Sequence, residues 1–149
     1  MIVPTCPPVR IVRSAWLYGP RGRHFPGTIL ELAGRRDEIS VVDDQRGSAT
    51  STLELAPALW DVLERGEDGV IYHATCDGSC TWYELAGAVL ELAGVSGVRL
   101  VPATTGEFPR PAPRPAYSVL DCSRLSRLRG ETLAPWREAL RRYLESKER

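Results

Sequence analysis

Residues 9–18 read VRIVRSAWLY and decide the fold. The stretch is rich in β-branched and aromatic side chains and is closed by Gly19-Pro20, which predicts one strand over 9–18 followed by a turn. Because this strand is apolar on both faces, it is typical of a central strand in a parallel sheet that is covered on both sides. No earlier strand is predicted that could pair with its other edge. The sequence therefore indicates half of a larger fold.

Helix and strand patterns alternate after this strand. The predicted elements are a helix over 25–33, a strand over 39–42, a helix that opens at Ser51, a strand over 70–74, a helix that opens at Thr81, a strand over 98–101, a short helix over 121–128 and a last helix that begins at Pro135. The helices at Ser51 and Thr81 each carry Glu three residues later, the pattern of a capping box. In the first of them, Leu55, Leu59, Val62 and Leu63 are predicted to share one buried face. This order predicts an α/β fold, a partial Rossmann-like parallel sheet.

Length and composition limit the classes of protein that the chain can represent. It has 149 residues, which favours one domain, and 19 Lys and Arg against 19 Asp and Glu, which argues against a generally basic nucleic-acid binder. No apolar run approaches the roughly 20 residues of a membrane helix. Residues 1–10 lack the pattern of a signal peptide, so we expect a cytoplasmic location and no membrane partner.

The four cysteines do not form a recognisable metal pattern. Cys76 and Cys80 form a C-x-x-x-C pair, which could indicate metal, but the chain has only two histidines and no second cysteine pair to complete a zinc set. A cytosolic chain keeps such thiols reduced. We therefore expect free thiols and no metal site.

Four residues are candidates for ligand binding, and each also has a structural alternative. Trp16 ends a predicted parallel strand, where α/β sheets bind ligands, but it could equally pack in a core. Gln45 could recognise an amide edge in a loop in which Gly47 allows a close approach, although turn chemistry also explains this loop. Arg114 follows a proline run and offers a planar fork for a phosphate, or is simply solvated. His24 follows a strand-end loop and could contact a ligand.

The segments just described occur together in one known family. The chain resembles the C-terminal half of dTDP-4-dehydrorhamnose reductase, an extended short-chain dehydrogenase/reductase. The resemblance is carried by IVRSAWLYGPRGRHF at 11–25, VVDDQRGSAT at 41–50, GVIYHATCDGSCTWYELA at 69–86, PRPAPRPAYSVLDCSRL at 109–125 and PWREALRRYL at 135–144.

The resemblance implies a role for each candidate residue. The family reduces the 4-keto group of dTDP-4-dehydro-L-rhamnose with NADPH or NADH. Trp16 would lie beside the sugar, Gln45 would help to shape the nucleotide-sugar pocket, and Arg114 would approach the diphosphate. Position 24 is His where the family usually has Asn, and position 49 is Ala where it usually has Pro, so the fine geometry of the sugar pocket is expected to differ.

Catalytic and cofactor-binding residues are not expected in this chain. In the family, the glycine-rich cofactor loop and the catalytic Tyr/Lys helix come before the segment that matches Ile11, where only residues 1–10 stand here. Tyr143-x-x-x-Lys147 imitates the Tyr/Lys pair, but Tyr143 has core spacing with Trp136 and no glycine-rich loop precedes it. Residues 1–149 are thus expected to form a substrate-binding domain that lacks the cofactor-binding half.

Three functions remain open at this point. The chain could be the nucleotide-sugar-binding half of a reductase that needs a Rossmann half in trans, which would bring NADPH or NADH. It could be a non-catalytic dTDP-sugar binding module or a degenerate relic. Less in keeping with the resemblance, residues 109–115 could be a polyproline ligand for an SH3-like partner. An apolar sheet edge without a partner also predicts self-association.

Overall fold

The computed structural model describes residues 9–109 and 111–147, the side chain of residue 147 excepted. Short strands and longer helices alternate along the chain. The strands are β1 Ile11–Arg13, β2 Leu17–Tyr18, β3 Glu38–Val42, β4 Arg46–Gly47, β5 Thr50–Ser51, β6 Ile71–His73, β7 Cys80–Thr81 and β8 Arg99–Ala103. The helices are α1 Phe25–Ala33, α2 Thr52–Arg65, α3 Trp82–Leu92, α4 Ser123–Arg129 and α5 Trp136–Lys147, with a 3₁₀ turn at Thr105–Glu107.

Parallel pairing dominates the strands, which confirms the predicted α/β class. Strand β1 pairs with β6, β2 with β5 and β3 with β8, all in parallel. Strands β4 and β7 form one short antiparallel pair. The helices between the paired strands supply the long crossovers that parallel pairing requires.

The single strand predicted over 9–18 is wrong, because the chain bends within it. Trp16 has a φ of 47°, the left-handed region that a residue other than glycine seldom adopts. The stretch therefore splits into β1 and β2, and these pair with different partners. The local pattern does not reveal this break, since β-branched and aromatic residues stand on both sides of Ser14-Ala15 and no Gly or Pro marks the bend.

Strand β1 also differs from the covered central strand that its sequence predicts. Within the described residues it pairs on one edge only, with β6. Its side chains are exposed, half-buried and exposed in turn, and Ile11 keeps 43% of its surface.

The helix caps follow the sequence at Thr81 but only partly at Ser51. Thr81 accepts from the Glu84 backbone N–H, and Glu84 accepts in return from that of Thr81, a complete capping box. Ser51 caps α2 by accepting from the Leu53 N–H, whereas Glu54 binds Arg142 on α5 instead. The last helix begins at Trp136, one residue later than predicted, and its first bond runs from the Ala139 N–H to the Pro135 carbonyl.

Two apolar clusters hold these elements together. The larger one joins α1, α3, α5 and β3; its buried members are Tyr18, Ile29, Ile39, Val41, Ala49, Cys80, Leu85, Ala86, Ala88, Val89, Leu90, Leu140, Tyr143 and Leu144. The smaller one packs α2 and α4 on one face of the β1–β6 pair; its buried members are Leu55, Ala58, Val62, Tyr72, Ala74, Leu125 and Leu133.

Helix α2 shows a second correction to the sequence prediction. Leu55 and Val62 are buried, but Leu59 and Leu63 keep 42% and 58% of their surface, and the neighbouring Trp60 keeps 60%. The described part of the chain thus covers only one side of an apolar helix. Every helix that it contains is too short or too polar to cross a lipid bilayer.

Candidate functional site

A cavity of about 350 Å³ lies between helix α1 and strand β3. Its walls are mostly apolar, and two of the four predicted binding residues meet there. The lining residues are Phe25, Thr28, Ile29, Leu32, Ile39, Ser40, Val41, Val42, Gln45, Trp82, Phe108 and Arg114. Apolar walls with a few polar groups are typical of small-molecule sites.

Gln45 is held in one orientation at the wall of this cavity. Its Oε1 accepts from the Trp82 indole N–H at 3.2 Å, and its Nε2 donates to the Thr105 hydroxyl at 2.9 Å. Since an indole can only donate, this contact fixes which end of the amide is oxygen. Gln45 is 6% exposed, and its amide retains one N–H and one oxygen lone pair for a ligand.

Asp44 completes this chain of hydrogen bonds. The Thr105 hydroxyl donates to Asp44 Oδ1 at 2.6 Å, and the Thr105 backbone N–H donates to Oδ2 at 2.9 Å. Both bonds favour the charged carboxylate, so they hold the pKa of Asp44 below its ordinary value. The loop after β3 thereby fixes the first turn of the segment that carries Phe108 and Arg114.

Arg46 fixes the other end of the same proline-rich segment. Its backbone N–H donates to the Ala116 carbonyl and its carbonyl accepts from the Ser118 N–H, both at 2.8 Å. Its guanidinium pairs with Glu84 at 3.0 Å. Asp44 and Arg46 thus form hydrogen bonds to Thr105 on one side and to Ala116 and Ser118 on the other side of the lining residues Phe108 and Arg114. The polar loop that the sequence predicts therefore positions the segment with Phe108 and Arg114 and also contributes Gln45 to the cavity lining.

Trp16 reaches the cavity only through Trp82. The two rings stack with centroids 3.6 Å apart and planes 12° apart, and Phe25 lies 4.7 Å from Trp82 on the cavity side. A Cβ at Gly47 would lie 2.5 Å from the Trp16 ring. Gly47 therefore allows the close approach of Trp16, whereas the sequence suggested the close approach of a ligand.

His24 serves as the N-cap of α1 and lies outside the cavity lining. Its Nδ1 accepts from the Gly27 N–H at 3.2 Å, so in the neutral ring the proton sits on Nε2. Nε2 lies 3.1 Å from the Tyr143 hydroxyl on α5. Tyr143 itself is fully buried, which agrees with its predicted core position.

Arg114 is exposed at the rim of the cavity, and its guanidinium forms no ion pair within the described residues. The structure therefore brings Gln45 and Arg114 together, places Trp16 behind Trp82, and sets His24 apart at the start of α1. The sequence reading missed Trp82, Phe25, Thr105 and Phe108. Trp82 follows the Thr81 cap directly, and an aromatic residue at a helix start beside a polar turn was the available signal.

The cysteines have a structural environment in the described residues. Cys76 and Cys80 are buried free thiols, and burial raises their pKa values to about 11 and about 12. A raised pKa keeps the thiol protonated and unreactive at neutral pH. Within the part of the chain that the structure describes, no group of three His, Cys, Asp or Glu side chains could hold a metal ion.

Gly19, the first residue of the one glycine pair that could suggest a dinucleotide loop, is used for packing. At Gly19 an added Cβ would lie 2.0 Å from the Thr52 hydroxyl oxygen at the start of α2. The space that a cofactor loop keeps open for a pyrophosphate is therefore filled by protein there. The described residues thus do not fit a nicotinamide dinucleotide at this turn.

Comparison with known proteins gives one consistent family. The model of the RmlD substrate binding domain matches residues 1–149. A probable dTDP-4,6-dihydroxy-2-methyloxan-3-one 4-ketoreductase of Streptomyces antibioticus is 45% identical over 143 residues, which cover 94% of this chain and 48% of that protein. The dTDP-4-dehydrorhamnose reductase of Streptomyces griseus is 42% identical over 134 residues, 87% of this chain and 44% of that protein.

Solved structures agree with this result. A dTDP-4-dehydrorhamnose reductase from Clostridium acetobutylicum superposes with a TM-score of 0.86 at 40% identity. The match covers 94% of this chain and 49% of that reductase. The dTDP-4-dehydrorhamnose reductase from Bacillus anthracis, solved with NADP, superposes with a TM-score of 0.83 at 36% identity. This match covers 92% of this chain and 48% of that reductase. The chain therefore spans about half the length of the relatives that it matches.

Proposed function

The chain belongs to the RmlD substrate binding domain family, and from this premise we propose that it forms the nucleotide-sugar-binding half of a dTDP-keto-sugar reductase. The reaction would complete dTDP-L-rhamnose or a related deoxysugar. Residues 1–149 would act as one domain and would need a Rossmann half, in trans or otherwise supplied, to bring NADPH or NADH. The observation that carries the proposal is the cavity between α1 and β3, where Gln45 and Arg114 stand at an apolar wall.

The wall offers groups that suit a nucleotide sugar. The remaining N–H and lone pair of Gln45 match the donor and acceptor edge of a pyrimidine base. Phe25 and Trp82 offer ring faces on which a base or a sugar can stack. Arg114 at the rim can donate two parallel hydrogen bonds to a diphosphate. These residues bind and orient the substrate, and the described residues carry no step of hydride transfer.

The relatives narrow the substrate class. The proteins from Streptomyces antibioticus and Streptomyces griseus are both named for dTDP-linked keto sugars, although the sugars differ. We therefore assign a dTDP-sugar with a keto group as substrate and leave the choice of sugar open. His24 at the start of α1 stays a candidate for sugar recognition, as does Trp16 behind Trp82. A cytoplasmic location remains a prediction.

Titration of the isolated chain with dTDP tests this proposal. We expect binding that quenches tryptophan fluorescence, because Trp82 lines the cavity. Arg114→Ala should weaken binding about tenfold, the scale of a lost charge-assisted hydrogen bond. Arg36→Ala, at an exposed site that does not line the cavity, is the matched control and should leave affinity unchanged. No binding of dTDP by the wild-type chain would overturn the assignment.

A second candidate is a non-catalytic dTDP-sugar binding module. The half-length match to the relatives favours the reductase half, because both named reductases extend beyond the matched region. Supplying the missing half of the Streptomyces griseus reductase decides between the two. NADPH turnover that appears only in the mixture supports the reductase half; dTDP binding without any turnover supports the module. Turnover by the isolated chain would contradict both.

A further inference from the structure

The carboxylate of Asp43 lies outside the cavity lining and bonds to the start of α3. Asp43 directly follows β3, and its backbone N–H donates to the Ala103 carbonyl at the end of β8 at 2.9 Å. Its Oδ1 accepts from the Thr81 hydroxyl at 2.6 Å. Because Asp43 is exposed and does not line the cavity, any effect of its side chain on the site must run through Thr81.

This bond fixes the orientation of the Thr81 hydroxyl. A hydroxyl carries one hydrogen and two lone pairs, and it rotates to suit its neighbours. Since the hydrogen is directed to Asp43, a lone pair of Thr81 is left to accept from the Glu84 backbone N–H at 3.0 Å. A hydrogen bond to a carboxylate is stronger than one between neutral groups. Asp43 therefore holds the capping box of α3 in one geometry.

Asp43 also complements the charge at this end of the helix. The first backbone N–H groups of a helix carry a partial positive charge, which negative side chains stabilise. Glu84 supplies one carboxylate from within the first turn of α3 and is paired with Arg46 at 3.0 Å. Asp43 supplies the second carboxylate from the loop that follows β3. The start of α3 is thus tied to the loop that carries Gln45.

Trp82 is the first residue of α3, so its position depends on this cap. Its indole lines the cavity, stacks on Trp16 with ring centroids 3.6 Å apart and donates to Gln45 at 3.2 Å. A shift at the start of α3 would therefore move the indole and disturb the amide of Gln45 with it. The short loop over 43–45 thus contributes Gln45 directly and holds Trp82 through Thr81.

We propose that Asp43 is a positioning residue for substrate binding, which acts through Thr81 to place Trp82 in the cavity wall. The inference rests on the proposed function, because the ligand that Trp82 would contact is the dTDP-sugar assigned above. It adds a residue outside the cavity that controls the shape of the cavity wall. It also predicts that the acceptor oxygen at position 43 matters more than its charge.

Titration of three variants of the chain with dTDP tests this inference. Asp43→Ala should weaken dTDP binding about tenfold, because the Thr81 hydroxyl loses its charged acceptor. Asp43→Asn keeps an acceptor oxygen and should bind dTDP within about threefold of the wild-type affinity. Asp37→Ala removes an exposed carboxylate just before the other end of β3 and should leave the affinity unchanged.

Circular dichroism gives a second measurement, which a general loss of stability would not reproduce. The stacked indoles of Trp16 and Trp82 couple electronically and give a paired band of opposite signs. We expect Asp43→Ala to weaken this band and Asp43→Asn to retain it, with thermal unfolding to confirm that each variant is folded. In a Thr81→Val chain, Asp43→Ala should have little further effect on either measurement, because the two residues act as one pair.

The outcomes separate this inference from the proposed function. An Asp43→Ala chain that binds dTDP as tightly as Asp37→Ala, or that keeps the paired band, would overturn the inference. Equal losses in Asp43→Ala and Asp43→Asn would also overturn it, since the charge would then matter and not the acceptor. If Asp43→Ala does not fold, Thr81→Val takes its place with the same expected losses. Absence of dTDP binding by the wild-type chain would overturn the proposed function, and the paired band alone would then decide whether Asp43 places Trp82.

Discussion

The cavity side and the β1–β6 side of this molecule differ in how fully the described residues bond to and pack against them. Around the cavity between α1 and β3, Asp44, Gln45, Thr105 and Trp82 satisfy one another through a connected set of hydrogen bonds. On the β1–β6 pair, the face with Val12 and Tyr72 is packed, while Ile11 and Arg13 on the other face are exposed. The cavity wall is therefore held by hydrogen bonds within the described residues, whereas one face of the β1–β6 pair stays exposed there.

This contrast separates two properties of the chain: the local order of the cavity wall and the coverage of the sheet. Polar groups that are buried without partners are costly, so a connected network indicates a finished local structure. An exposed parallel sheet face is costly for another reason, since its apolar side chains remain in water. Under the proposed function, dTDP binding can therefore be tested on the isolated chain, whereas a test of turnover also needs the cofactor-binding half.

The largest expected effect is on the cavity side, at Gly47. Gly47→Ala would place a Cβ 2.5 Å from the Trp16 ring and disturb the Trp16–Trp82 stack. Overpacking of this kind costs about 1–3 kcal/mol of folding free energy, and dTDP affinity should fall with it. Urea unfolding and fluorescence titration measure the two quantities.

Gly106→Ala is the matched control for this change. Its nearest neighbour would be the Thr104 hydroxyl oxygen at 3.8 Å, an ordinary contact, so stability and affinity should both stay near the wild-type values. If Gly47→Ala behaved like Gly106→Ala, the stack could not depend on the absence of a side chain at position 47.

A smaller effect is expected from Thr105→Val, which keeps the size of the side chain but removes the hydroxyl that accepts from Gln45 Nε2 and donates to Asp44 Oδ1. A net hydrogen bond contributes about 1 kcal/mol, so dTDP affinity should fall about fivefold as Gln45 and the segment with Arg114 lose their fixed positions. Calorimetric titration measures this change.

Thr104→Val serves as the control, because the Thr104 hydroxyl donates to Glu107 in the same turn and touches neither Gln45 nor Asp44. Equal losses in both variants would show that the turn matters only for stability, and the organising role assigned to Thr105 would then be wrong.

The smallest effect is expected on the sheet side, in the solution behaviour of the isolated chain. We expect concentration-dependent self-association through the open edge of β1 and the exposed apolar side chains of α2. Ile11→Lys should shift the equilibrium toward monomer, because lysine on an edge strand opposes pairing. Leu17→Lys, at an exposed apolar position on another strand, should shift it less. A monodisperse wild-type monomer in light scattering would contradict the expectation.

Much of the local structure could be predicted because its signals lie close together in sequence. Helix α1 has the predicted bounds, and the Thr81 capping box is present, since four consecutive residues contain both of its bonds. The family resemblance gave Gln45 a role in the nucleotide-sugar pocket and Arg114 a role at the diphosphate; both side chains line the cavity between α1 and β3, and their binding roles stay predictions.

The errors arise where distant contacts override local preference. The strand predicted over 9–18 breaks at Trp16, whose ring stacks on Trp82 and packs over Gly47. Leu59 and Leu63 follow a helical core pattern, yet the described residues leave them exposed, because periodicity reports which side is apolar and not what lies against it.

The sequence by itself determined the α/β class, the starts of α1, α2 and α3 and the segments that mark the family, because periodicity, caps and motifs act over a few residues. The tertiary structure alone decided the contacts that make the site. Gln45 and Thr105, which form a hydrogen bond, are 60 residues apart in the chain. Arg13 lines one pocket together with Arg124 and Arg127 from near the other end of the chain. Such contacts depend on how whole elements pack, a property that no short stretch of sequence contains.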